Sequence, residues 1–330
     1  MKIYAIAKVT FLQVIRQPIY GVLLLLCLGL MVLAPSLTML TMDDDNKMLQ
    51  DLCLSTILVA GVVLAAVAGS EAVSAEIEDQ TILTIISKPV NRLELLVAKF
   101  LAVMAALALA CTFMTVTFLM VLRHGVMWAA YLERDWPIIV FGLSAAVITL
   151  FVAAIGNYLF DWQFGPAALG IGLPLLSAAA VTAGFFDKSW KIQSFGQGYS
   201  IEVVSACFLL LLAIWVLAAV CIACSTRLPV VRTLLIAVVI LCLGMVWDYL
   251  VLAHVQNAPS DLARAGWSAL YALVPNFQIF WMLDALDLEK HISLTYILFA
   301  AGYAATYILA MLFLAYALFL DRQVGAAAKF

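Results

Sequence analysis

Two carboxylates stand inside long apolar runs of this chain, Glu71 in "LAAVAGSEAV" and Asp248 in "GMVWDYLV". A charge at the middle of a bilayer costs about 2.5–3.5 kcal/mol on insertion scales, which makes both positions candidates for a transport pathway. Depth supplies a second reading. Glu71 lies four residues from the end of its run, about 6 Å along a helix and within snorkelling reach. Asp248 sits between Trp247 and Tyr249, as in an interfacial aromatic belt. Cys221 and Cys224 form a C-x-x-C at helical spacing inside "VLAAVCIACS", with no second pair or histidine to complete a tetrahedral metal site. All seven cysteines (Cys27, Cys53, Cys111, Cys207, Cys221, Cys224 and Cys242) fall in apolar runs and read as buried packing thiols. His124, His254 and His291 are far apart, and the 12 methionines are scattered singly as gap-fillers, so neither a metal nor a cofactor is expected. No H-E-x-x-H, G-x-S-x-G or paired-carboxylate signature is present, and the chain is not expected to be an enzyme. No G-x-x-x-x-G-K-[ST] loop is present to cradle a nucleotide either.

The elements that hold these residues follow from composition. Of 330 residues, 66% are hydrophobic and only 11% charged, with a mean hydropathy of +1.13. Soluble proteins carry about 45–50% apolar residues, so the excess must face lipid, and the fold class is an all-α polytopic transmembrane bundle. A net charge of −3 and a pI near 5.6 leave no basic patch for nucleic acid. A span needs about 20 apolar residues. Eight runs qualify: Ile19–Thr41, Cys53–Ala75, Phe100–Leu122, Pro137–Phe160, Pro166–Phe186, Val203–Ser225, Thr233–Val255 and Ser293–Leu320. Only "DWQFG" separates the fourth from the fifth, which leaves a re-entrant hairpin as the alternative there.

Orientation follows from lysine and arginine on short loops. With both termini in the cytoplasm, ten of the 17 basic residues lie on that side, and Asp43, Asp44, Asp45 and Asp51 crowd one outer loop. The apolar stretch begins only at Ile19, after Lys2, Lys8 and Arg16, and runs to spanning length rather than the length of a signal core, so it reads as retained. Residues 1–18 are expected to form an interfacial helix, with Lys2, Thr10, Gln13, Arg16 and Gln17 on one arc and Ile3, Phe11, Val14 and Ile15 opposite, turned into the first span by Pro18. A simple extension of the first span is the other reading.

The densest polar stretch is "SAEIEDQTILTIISKPVNRLELLVAK", residues 74–99. Glu76, Glu78 and Asp79 suit the N-terminus of a short helix, Ile82, Leu83, Ile85 and Ile86 give it an apolar surface, and Pro89 ends it. Such a helix in the cytoplasm is a docking knob; an ordinary solvated loop would leave four large aliphatics wet. This stretch resembles the ABC-2-type permeases, the membrane subunits of ATP-binding-cassette exporters. Glu76, Glu78, Thr81, Leu83, Ser87, Pro89, Arg92 and Lys99 match that pattern in place, whereas Gln80 stands for the usual Gly and Asn91 for the usual Ser. "CSTRLPVVR", "LVPNFQIFW" and "FLDRQVG" add to the likeness, which covers most of the chain: six family-like spans plus an extra pair at 137–186.

The resemblance implies a single permease domain over residues 1–330 that pairs with a second permease subunit, identical or related, and docks a cytosolic ABC ATPase subunit. Residues 76–99 would be the coupling segment, with Glu76, Glu78, Thr81, Ile82, Leu83, Ile85, Ile86, Pro89 and Arg92 contacting the ATPase. The stretch 256–292, apolar and divided by Pro275, looks like the outer re-entrant element that caps the pathway in such permeases, or else a membrane-surface helix pair. The expected function is outward transport across a bacterial-type inner membrane, among membrane lipids, with ATP hydrolysed on the separate subunit. The alternatives are a stand-alone secondary carrier, which usually carries mid-span charges this chain nearly lacks, and a membrane scaffold.

Overall fold

A computed structural model describes residues 2–38, 45–72, 92–126, 134–258, 260–288 and 290–320, and its regular structure is helical apart from one isolated bridge between Phe186 and Ile192. Eight of the described helices are long and apolar enough to cross a membrane. A short α1 (Lys2–Arg16) breaks at Gln17, and Pro18, with no N–H to give, starts α2 (Pro18–Thr38). Then come α3 (Asp45–Ser70), α4 (Arg92–His124), α5 (Trp136–Phe160), α6 (Phe164–Ala183) and α7 (Ile201–Ser225). Next, α8 (Val230–Trp247) continues through a π-helical turn, Asp248–Leu252, to Gln256. Two short helices, α9 (Asp261–Tyr271) and α10 (Leu283–Asp287), precede α11 (Leu294–Leu320).

The eight spans of the sequence reading are all present, with different ends. α3 begins at Asp45 rather than Cys53, and α4 at Arg92 rather than Phe100. Helix continues through polar turns that hydropathy assigns to loops, because water can solvate a helix that projects past the hydrocarbon. At 33 residues, α4 is about 50 Å long against a hydrocarbon core of about 30 Å.

Apolar on all sides, α7 sits at the centre and packs against α3, α4, α8 and α11. Gly61 of α3 faces the Ile214 side chain so closely that a Cβ there would collide with it. Polar anchors cross the core too. Tyr20 donates to the Ala106 carbonyl (2.8 Å), fixing α2 on α4, and Trp215 Nε1 donates to Met104 (3.2 Å), fixing α7 on α4. Outside this core, α5 and α6 pack mainly on each other and on α4 around Met120, Ile138, Ala145, Ala179 and Ala183. Their outer faces expose Val147, Phe151 and Val181, as lipid-facing helices do. α5 has 25 residues and α6 has 20, each enough to cross, and Pro174 lies within α6 without ending it.

Two sequence expectations are corrected. Burial along α1 follows its polar arc only in part: Gln13 and Arg16 are exposed and Val14 and Ile15 buried, but Thr10 is buried too and Ile3 is exposed. The face of α1 is set by its packing along α4, which the helical wheel alone does not contain. Nor are all seven thiols buried. Cys242 is exposed on α8 and Cys224 is half-buried, because an apolar span with one face to lipid exposes whatever lies on that face.

Candidate functional site

The expected coupling helix, with Glu76, Glu78, Thr81, Ile82, Leu83, Ile85, Ile86 and Pro89, lies outside the described residues. Its two attachment points are described, and they form a polar frame at one end of the bundle. The ammonium group of Lys99, buried on α4, donates to the carbonyl oxygen of Ala72, the last described residue before that segment. Ser225 Oγ donates to Gly69 in the last turn of α3 (3.2 Å). Arg92, the first described residue after residues 73–91 and expected to contact the ATPase, sends Nη1 instead to the carbonyls of Phe319 (3.4 Å) and Leu320 (3.3 Å) and lies 5.6 Å over the Phe319 ring. Arg227, in the turn between α7 and α8, donates to Leu318 (3.0 Å).

The last carbonyls of a helix lack intrahelical partners and carry the negative end of its dipole. Here Lys99 meets the Ala72 carbonyl just past α3, and Arg92 and Arg227 meet carbonyls in the last described turn of α11. The segment's entry and exit are therefore tied to each other and to the end of α11. Glu71 lies beside this frame, half-buried in the turn that follows α3.

Asp248 lies at the opposite end of the bundle, so the two carboxylates are not brought together. It is no isolated belt residue either. Tyr271 Oη donates to its carboxylate at 2.5 Å, and Trp247 Nε1 donates to the Tyr271 carbonyl at 3.1 Å. These contacts dock α9, whose N-terminus is capped by Ser260 Oγ on the Ala263 amide, against the π-helical turn of α8. The chain then enters the bundle. The Pro275 carbonyl and the Phe277 ring sit on Gly244, where only a residue without a Cβ leaves room. Phe277 and Phe280 are buried in the main core. Asn276 accepts from Gln278 N (2.9 Å) and gives its own N–H to Tyr303 Oη (2.8 Å), while Tyr307 donates to Ala272 (2.9 Å) and Tyr296 to Ile279 (2.7 Å). Tyrosines of α11 thus satisfy the backbone of an irregular segment that could not otherwise be buried. Burial, and then the bond to Asp248, pushes the Tyr271 hydroxyl above its usual range.

At this same end, Arg123 and Asp135 form a buried ion pair, Nε to Oδ2 3.1 Å. Arg123 also donates to Ala183 (2.7 Å) and Phe186 (2.5 Å) and lies over the Tyr199 ring at 5.4 Å. Asp135 Oδ1 accepts the Ile138 amide as the N-cap of α5 (3.2 Å). The pair locks α5 and the end of α6 onto α4. His291 contacts Glu202 (2.7 Å), whose other oxygen takes the Ile292 amide (2.9 Å), and His254 stacks on Trp267. His291 and His254 thus sit in separate contacts.

Sequence reading named Arg92 and Lys99 but not the helix ends they serve, and it missed the Arg123–Asp135 pair. The one signal available was Asp135 directly before Trp136-Pro137, an N-cap followed by proline in the first turn. No curated protein matches this chain. A family model described as ABC-2 family transporter protein matches residues 4–324, so the chain belongs to the ABC-2 transporter family.

Proposed function

We propose that this chain is the permease subunit of an ABC exporter: two permease subunits form the path, and each docks a cytosolic ATPase through residues 76–99. The family match over residues 4–324 carries this reading. The frame at Ala72, Arg92 and Lys99 supports the coupling role, since a segment clamped at both ends transmits displacement to α3, α4 and α11 instead of absorbing it. The charge distribution supports the orientation: Arg16, Arg92, Lys99, Arg227 and Arg232 share the frame's end of the bundle, which the lysine and arginine bias puts in the cytoplasm of a bacterial-type inner membrane. The outer element of residues 256–292 caps the path on the far side.

Replacing Leu83 with Asp tests the coupling contact. Loss of an interface anchor costs more than about 2 kcal/mol, or about thirtyfold in affinity. Co-purification of the ATPase and its stimulated hydrolysis should fail in Leu83→Asp and persist in a control at exposed Asn46. Full retention in both overturns the assignment. Native mass spectrometry in mild detergent checks the dimer, and a transporting complex with one permease chain excludes it.

A further inference from the structure

At the frame's end of the bundle, a cavity of about 500 Å³ opens between α1 and the α5–α6 turn. Leu12 and Arg16 line it from α1, and Asp161, Trp162, Pro166 and Ile171 from the turn and α6. We propose that this cavity is a phospholipid site selective for a primary-amine zwitterionic headgroup, phosphatidylethanolamine, with the phosphate on Arg16 and the ammonium on Asp161.

Three observations carry this. The first is charge. One cation and one anion border the same cavity, and neither Arg16 nor Asp161 is in an ion pair with another described residue. A phosphate followed two carbons later by a primary ammonium complements both, and the ammonium can donate hydrogen bonds to a carboxylate. A quaternary choline cannot donate them, and a glycerol headgroup brings no cation for Asp161.

The second is construction. The turn is held in one geometry: Asp161 takes the left-handed conformation (φ 53°), Trp162 N donates to Gly156 (3.2 Å), and Asn157 Nδ2 donates to the Trp162 carbonyl (2.6 Å). The Trp162 ring lies on Gly156 and stacks with Phe160 at 5.7 Å. The carboxylate is thereby presented by a fixed turn, not by a floppy loop.

The third is depth. The cavity lies where α1 turns into α2 and α5 into α6, the level at which spans end and headgroups begin, with a tryptophan at its rim. Leu12, Pro166 and Ile171 give an apolar wall along which an acyl chain can descend. The inference needs only that the chain spans a bilayer, so it stands or falls apart from the coupling mechanism.

The test is native mass spectrometry of the full-length protein in mild detergent, titrated in turn with dioleoyl phosphatidylethanolamine, phosphatidylcholine and phosphatidylglycerol. We expect wild type to retain phosphatidylethanolamine at least about fivefold more than either other lipid. Arg16→Ala should lower retention of all three. Asp161→Asn should bring phosphatidylethanolamine down to the phosphatidylcholine level and leave phosphatidylglycerol undiminished. Exchanging the two charges, Arg16→Asp with Asp161→Arg, should restore retention relative to either single change. Equal retention of the three lipids by wild type overturns the proposal without recourse to any variant, as does an ethanolamine preference that survives Asp161→Asn.

Discussion

Lys99 on α4 donates to the carbonyl oxygen of Ala72, 27 residues earlier, and so joins the chain on either side of residues 73–91. A buried donor in this place meets a carbonyl just past the end of α3 and fixes the spacing of two spans. Hydrogen bonds to charged groups contribute about 1.5–3 kcal/mol. Lys99→Met keeps the length of the side chain and removes the donor. Thermal unfolding in detergent should fall by several degrees, and ATPase stimulation should drop even where the ATPase still co-purifies. Unchanged unfolding and stimulation would show that the contact is incidental.

The Arg123–Asp135 pair predicts an asymmetric mutational response. Removing one member leaves a charge stranded in a buried site and costs about 3–5 kcal/mol, whereas replacing both with leucine avoids that penalty. Arg123→Leu should therefore lower the unfolding temperature more than the double Leu variant does. Asp135→Asn separates the two roles of the carboxylate: its amide oxygen can still accept the Ile138 N–H, but its charge is gone. If the double variant is as unstable as the worse single variant, the two hydrogen bonds from Arg123 to the carbonyls of Ala183 and Phe186, not the ion pair, hold this corner.

Helix existence was legible because every span is apolar for about 20 residues and lipid imposes that length. Helix ends were not. Arg92–Lys99 and Asp45–Asp51 are polar helical turns, and hydropathy carries no term for a helix that continues into water. Partners were equally hidden. Asp248 between two aromatics has the pattern of a belt, and only the fold brings Tyr271 to it from 23 residues away. Sequence could flag Gly244 as one glycine in an apolar run; that the Pro275 carbonyl sits on it depends on where the outer element enters the bundle.

That close approach makes Gly244→Ala a test of how the outer element is seated. The added methyl would meet a backbone carbonyl and the Phe277 ring, and overpacking of this kind typically costs about 1–3 kcal/mol. The expected result is faster proteolysis within 256–292 with the other helices still protected. Gly302 on α11 has open space around it, so Gly302→Ala serves as a control and should cleave at the wild-type rate.

The Tyr271–Asp248 bond should respond to alkali. Burial and the carboxylate raise the Tyr271 hydroxyl in the folded protein above its ordinary value. A raised folded pKa means that the stabilisation is complete below the unfolded value, about 10, and is lost as pH climbs through the folded one. Proteolytic opening of α9 should be flat through neutral pH and rise only above about pH 10. Tyr271→Phe should open faster at pH 7 and lose the alkaline step. An identical step in that variant would assign the transition to another group.

The exposure of the thiols sharpens a test of sidedness. Five of the seven cysteines are buried, Cys224 is half-buried and Cys242 lies exposed on a lipid-facing span. Stripping the buried thiols would risk the core, because Cys53, Cys111 and Cys207 are fully enclosed among α3, α4 and α7. Replacing only Cys224 and Cys242 with alanine leaves a background with few reactive sites at little cost. A single cysteine is then placed at Ser87, between the two clamped ends, or at Asp161, in the α5–α6 turn. If the lysine and arginine bias sets the orientation, a membrane-impermeant maleimide added to intact cells should miss both positions and label both once the membrane is opened. A third site at Asn257, just past the end of α8, should label in intact cells. Labelling of the Ser87 site from outside would invert the whole arrangement. Labelling at Asp161 alone would mean that α5 and α6 enter and leave by the outer face, despite lengths sufficient to cross.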